Sequence, residues 1–176
     1  MNVWDAVRTK RAIREFAARP IERPELERIV RAGTRAHSSK NQQRWAFVVV
    51  EDREHLQALS KLGPHAGHVA GAAAAVALVT PDPLGPDQPL SVVWDVGGAA
   101  AQMMLVAWEL GIGSCPATVY EQAMAQELLG YPDGMWCEYL LSFGYPSDPA
   151  RLSAPNRAGG RRPLDEVVFR ERWPEG

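Results

Sequence analysis

The chain has 176 residues, a formal net charge of -2 and an apolar fraction of 46%, a length that suits one domain over residues 1–176 and a composition ample for a packed core. The slightly acidic balance argues against non-specific nucleic-acid binding. The two cysteines, Cys115 and Cys137, match neither a disulfide framework nor a metal-binding pair, and the longest apolar run, Val69 to Val79, is about half a membrane span, so the cytoplasm is the expected location.

At the N-terminus Asn2 is placed to cap a short helix presenting Val3, Trp4 and Val7, and no apolar core of the signal-peptide kind accompanies it. The densest charge follows at once in Arg8-Thr9-Lys10-Arg11-Ala12-Ile13-Arg14, four cations in seven residues. Read as helix, this run sets Lys10 and Arg14 on one face with Arg11 beside them. Like-charge repulsion there costs roughly a few tenths of a kcal/mol per pair unless an anion lies between them. A phosphate is the candidate anion, and the distant pair Arg161-Arg162, in Gly159-Gly160-Arg161-Arg162-Pro163, could converge on the same dianion. The competing reading is a solvated charged face.

Pro24 opens a second helix whose Leu26, Ile29 and Val30 share a face before Gly33 ends it. The polar stretch Ser38-Ser39-Lys40-Asn41-Gln42-Gln43 is dense in donors and acceptors. It is either an ordinary turn or a loop that hydrogen-bonds the edge of a heterocycle. Trp45 to Val50 is β-prone, and Leu56, Leu59 and Leu62 then mark a helix terminated by Gly63. Ala73 to Thr80 reads as a buried strand, although its alanines also suit a helix, and Pro81 to Pro86 reads as an extended connection. Ser91 to Leu110 is apolar on every side and is expected to be a central helix. Within it Gly97-Gly98 costs about 1 kcal/mol per residue against alanine, which points to close approach of another backbone, a partner subunit or a flat ligand. A helix from Glu121 to Leu129 stops at Gly130, Cys137 to Gly144 alternates as a strand, and the tail after Pro146 is loop-rich. Two leading helices with strands scattered among later ones give an α+β fold, an α/β sandwich with helices covering a small mixed sheet.

Several chemistries are demoted. No Gly-x-Ser-x-Gly, no phosphate-binding Gly-x-x-x-x-Gly-Lys loop and no dinucleotide fingerprint is present, Gly111-Ile112-Gly113 being too short to count. His65 and His68 could share a helical face, but two ligands without a third do not make a zinc site.

Five landmarks in order carry a resemblance. They are Lys10-Arg11-Ala12-Ile13-Arg14-Glu15-Phe16, Ala36 to Trp45, Gly111-Ile112-Gly113-Ser114-Cys115, Gly144-Tyr145-Pro146, and Arg161 to Val168. Together they resemble the nitroreductase family of FMN flavoproteins from about Val3 to Trp173. The resemblance implies a central mixed or antiparallel sheet flanked by helices, and a domain-swapped homodimer with FMN in two interface pockets and the Gly97-Gly98 helix in the dimer core. By position, Lys10, Arg11 and Arg162 would hold the FMN phosphate with Arg161 as a helper, and Arg14 would reach the ring's pyrimidine edge as its electronic tuner. Ser38 and Asn41 would bind the flavin's polar atoms, and backbone groups of Pro116, Ala117 and Thr118 would face the ring. Ala12 and Gln43 complete the cofactor-binding set, Ala12 standing where the family usually has serine, and no side-chain nucleophile is implied. The implied reaction has two steps: NADH or NADPH reduces the flavin and leaves, and a small oxidised acceptor such as a nitroaromatic or quinone is then reduced. A flavin- or deazaflavin-binding sensor or store without NAD(P)H turnover is the alternative.

Overall fold

Asn2 caps the first helix as its chemistry requires: its side chain accepts a hydrogen bond from the Asp5 N–H at 2.8 Å, and α1 runs Val3–Thr9 in a computed structural model that describes residues 1–85, 90–154 and 160–174. The expected inward face is corrected. Ala6 is the residue that packs inside, against Ile13 and Trp108, whereas Val3, Trp4 and Val7 face outward.

The basic run is not helical. Lys10 closes α1 in an extended conformation (φ -56°, ψ 133°), and the chain continues as a strand-like segment. Ala12 bridges Ser114 in parallel and Phe16 bridges Pro146 antiparallel, with Ile13 N–H donating to the Ser114 carbonyl at 3.0 Å. The reason is a seat built of two glycines paired in register, Gly113 and Gly144. A Cβ on Gly113 would lie 2.6 Å from the Ile13 Cβ, and one on Gly144 would lie 2.7 Å from the Phe16 Cδ1. Tertiary packing of Ile13 and Phe16 into that seat outweighs the helical option.

Next come α2 (Arg23–Gly33), with Leu26 and Ile29 buried, and β1 (Ala46–Val50). The helix α3 (Arg53–Leu59) is capped by Asp52 and ends before Gly63, so Leu62 is buried outside it. Strand β2 (Ala74–Pro81) resolves the alanine-rich ambiguity. Residues 82–85 then form a turn, Gly85 N–H donating to the Asp82 carbonyl, rather than an extended connection, and Pro86 lies outside the described residues. The helix α4 (Ser91–Glu109) is half-covered, not wholly buried, because Val93 and Trp94 face outward. Strand β3 (Gly113–Thr118), poor in β-formers, was not expected from local sequence. Pairing along its whole length with β4 (Met135–Gly144) makes it a strand, and α5 (Gln122–Leu129) lies between them in the chain.

The sheet has the order β1-β2-β4-β3, every neighbouring pair antiparallel. On one face α3 and α5 cover Ala75, Ala77, Val79 and Leu140. On the other, α2 and α4 cover Val76, Leu78, Leu141 and Phe143. Two covered faces explain why β2 is apolar throughout rather than alternating. The fold is α+β, and no helix among the described residues is long and apolar enough to cross a membrane.

Candidate functional site

Laid out as a strand, the basic segment separates its charges by alternation. Arg11 turns with Ile13 towards α4: its Nε donates to the Thr9 carbonyl at 3.1 Å, and its guanidinium lies 5.9 Å from the Trp108 ring centroid. Lys10 and Arg14 instead act together on Cys115 of β3. Burial and then the positive charge of Arg161 hold the Lys10 ammonium below its ordinary value, the Cys115 thiol opposing them. Burial raises the Cys115 thiol while Arg14 and Lys10 pull it down. Lys10 and Arg14 therefore both act on Cys115 of the edge strand, and Arg161 acts on Lys10. A carboxylate there would raise Lys10, and none among the described residues acts on it. Of the tail pair it is Arg161 that faces Lys10. Arg162 is tied to Glu166, with Nε 3.1 Å from Oε2 and Nη2 donating to the backbone carbonyl.

Ala12 contributes its bridge to Ser114 and no side-chain donor. Pro116, Ala117 and Thr118 pair with Leu141, Leu140 and Tyr139 on one side only, since β3 is the last strand of the sheet. Their outer backbone carries no strand partner among the described residues.

The second group of expected residues sits at α4. The loop 38–43 places three non-glycine residues in the left-handed region, Lys40 (φ 52°), Asn41 (φ 54°) and Gln43 (φ 49°), at a cost on the order of 1–2 kcal/mol each. Buried Asp95 of α4 holds this loop, its carboxylate accepting from Ser39 N–H at 2.9 Å. Within the loop, the Ser38 hydroxyl oxygen accepts from Gln43 N–H at 2.6 Å, and Asn41 Oδ1 accepts from Gln43 Nε2 at 3.1 Å. Each of these oxygens accepts one bond within the loop, and the Ser38 O–H and the Asn41 NH2 are the donors the pair carries. His37 fills the space that Gly98 leaves, its Cε1 2.8 Å from where a Cβ would stand, while nothing approaches Gly97 within 4 Å. A cavity of about 640 Å³ lies between this half of α4 and the sheet, with Val93 and Gly97 on one wall and Pro116 and Tyr139 on the other.

No hydrogen bond joins Ser38, Asn41 or Gln43 to Lys10, Arg14, Arg161 or Arg162 among the described residues. The cations lie at the β3 edge and the donor loop lies at α4. Sequence reasoning missed Asp95, whose signal is a carboxylate in the middle of the most apolar segment. It also missed His68 as a neighbour of Arg14, having weighed it only with His65 as a metal ligand. In the structure His68 lies in the turn Gly67–Gly71, with Nδ1 2.8 Å from Ser142 Oγ.

A family model described as the nitroreductase family matches residues 7–82 and 66–145. A protein from Archaeoglobus fulgidus named "Putative NADH dehydrogenase/NAD(P)H nitroreductase" is 34% identical over 171 residues, spanning 94% of this chain and 95% of its own length. Among solved structures, an FMN-dependent nitroreductase from Clostridium difficile R20291 superposes with a TM-score of 0.81 at 24% identity, covering 97% of this chain and all (100%) of the other. A Parabacteroides distasonis structure with the same name as the archaeal protein gives a TM-score of 0.83 at 20% identity, covering 97% and 98%. The matched span takes in the basic segment, the donor loop, α4 and the β3 edge, and with the archaeal similarity across nearly the whole chain it follows that this protein belongs to the nitroreductase family and is an oxidoreductase enzyme.

Proposed function

We propose that this single-domain chain is an FMN-dependent oxidoreductase that passes electrons from NAD(P)H to a small oxidised acceptor in two half-reactions, working as a homodimer with a cofactor at each of two interface sites. The observation that carries the reading is that Lys10 and Arg14 both act on Cys115 at the β3 edge while Arg161 acts on Lys10, with no carboxylate among the described residues acting on Lys10. Such a donor set suits a phosphate dianion. Lys10 and Arg161 hold the phosphate, and Arg162 and Arg11 join them by side-chain rotation away from Glu166 and Trp108. Arg14 takes the pyrimidine edge, where a cation favours negative charge on the ring, and the outer backbone of Pro116 to Thr118 lies beside the ring. The donor loop of Ser38, Asn41 and Gln43 supplies hydrogen bonds from the second copy. When bound, FMN supplies the two-electron chemistry.

The dimer is supported by surface that one copy leaves bare. Trp4 on α1, Trp94 on α4 and Trp173 in the tail are 70%, 72% and 76% exposed, as are Val93 next to Trp94 and Leu164, Val167 and Val168 of the tail to lesser or similar extents. The tail from Gly160 to Pro174 has no buried residue, as an arm that packs on a partner would.

The visible spectrum of the purified protein, before and after anaerobic NADPH, tests the reading. A flavin band that bleaches is expected. A colourless protein that FMN does not stabilise thermally overturns it, and a band that neither NADPH nor NADH bleaches leaves a binding protein without turnover.

A further inference from the structure

Three polar groups form a chain behind the cations at the β3 edge. The Ser142 hydroxyl, fully buried on β4, lies 3.1 Å from the Cys115 carbonyl and 2.8 Å from His68 Nδ1. A carbonyl only accepts, so the single hydroxyl proton goes to Cys115, and His68 Nδ1 must donate to the hydroxyl oxygen. The tautomer is thereby set. Nδ1 carries the proton of neutral His68 and Nε2 keeps its lone pair, while the Pro116 carbonyl is a hydrogen-bond acceptor for the charged ring.

We infer that His68 is the proton carrier of this site: Nε2 takes a proton from solvent when the bound cofactor is reduced and delivers it when the acceptor is reduced, with Ser142 as the positioning residue. The inference rests on the FMN reading above. Hydride transfer from NAD(P)H brings two electrons and one proton to the cofactor, whereas a neutral acceptor reduced to its dihydro product consumes two electrons and two protons. One hydride and one proton from His68 complete that balance, and oxidised cofactor and neutral His68 are restored.

The surroundings of His68 fit a group that charges only during turnover. Burial and then Arg14 hold the imidazole below its ordinary value, the Pro116 carbonyl opposing them. From the basic segment it faces Arg14, from β3 the Pro116 carbonyl near the neutral Cys115 thiol, and from β4 the uncharged Ser142. Negative charge arriving at Arg14 offsets the repulsion and raises the proton affinity of Nε2. Arg14 itself cannot serve, because a guanidinium does not release its proton.

The test is the midpoint potential of the bound flavin between pH 6 and pH 8. For a two-electron couple each proton taken up shifts the potential by about 30 mV per tenfold change in proton concentration. Wild type is expected to fall by about 60 mV per pH unit, and His68→Gln by about 30 mV. If His68→Gln loses FMN, His68→Asn, which likewise carries no titratable group, is expected to give the same shallow slope. A wild-type slope near 30 mV overturns the inference, as does a slope near 60 mV retained in either variant. A protein that binds no FMN at all refutes the cofactor reading and this inference with it. Bound FMN with a shallow wild-type slope refutes only the inference.

Discussion

Lys10 is a cation held where the folded chain disfavours it. Burial and Arg161 both lower its proton affinity, so its charged form costs stability in the folded chain, a cost that the proposed anion would offset. Replacing Lys10 with Met should therefore raise the melting temperature of the cofactor-free protein, and it should weaken FMN about 10- to 100-fold, the worth of one charge-assisted hydrogen bond. Thermal unfolding with and without FMN, together with a fluorescence titration, checks both signs. Equal losses in the two states would mean that Lys10 supports the fold and not the anion. At this scale the sequence was partly legible. Clustered cations told of an anion, but alternation along an extended backbone decided that Arg11 turns to Trp108 while Lys10 and Arg14 act on Cys115. Likewise Arg161, marked only as a helper, is the tail residue beside Lys10, and Arg162 is the one held by Glu166.

The element that matters most is the strand-like segment from Lys10 to Phe16, whose position depends on two glycines. Gly113→Ala places a methyl 2.6 Å from the Ile13 Cβ, and the segment must lift from β3 to make room. The expected outcome is about 1–3 kcal/mol of lost stability, the usual cost of overpacking, and loss of FMN disproportionate to it, because Lys10 and Arg14 move with Ile13. Urea unfolding and flavin titration separate the two effects. FMN affinity unchanged in a folded Gly113→Ala protein would detach the segment from the cofactor. Helix and strand periods identified most elements because their caps and apolar spacing are local, as with Asn2, Pro24 and Leu26, Ile29 and Val30. The segment 10–16 and β3 escaped for the same physical reason. Neither has a strong local preference, and each is extended because a distant strand supplies its hydrogen bonds.

For the whole molecule, the outward tryptophans are the decisive feature. Trp94 is 72% exposed, on the outward stripe of a helix whose other side carries the core residues Ala99, Met103 and Ala107. Trp94→Glu should leave the monomer fold intact yet bury a charge in the proposed interface, giving a monomer by sedimentation that no longer retains FMN. A Trp94→Glu dimer with full flavin content would remove α4 from the interface. Sequence by itself determined the α+β class, the order of most helices and strands and the family, and it supplied the clustered cations of the proposed anion site, because hydrophobic period, capping and clustered charge are properties of short stretches of chain. Only the tertiary structure decided which cations act on one another, that Asp95 holds the donor loop, and that Arg14 acts on His68. Those relations depend on contacts between residues tens of positions apart, which burial and strand pairing bring together and no local pattern encodes.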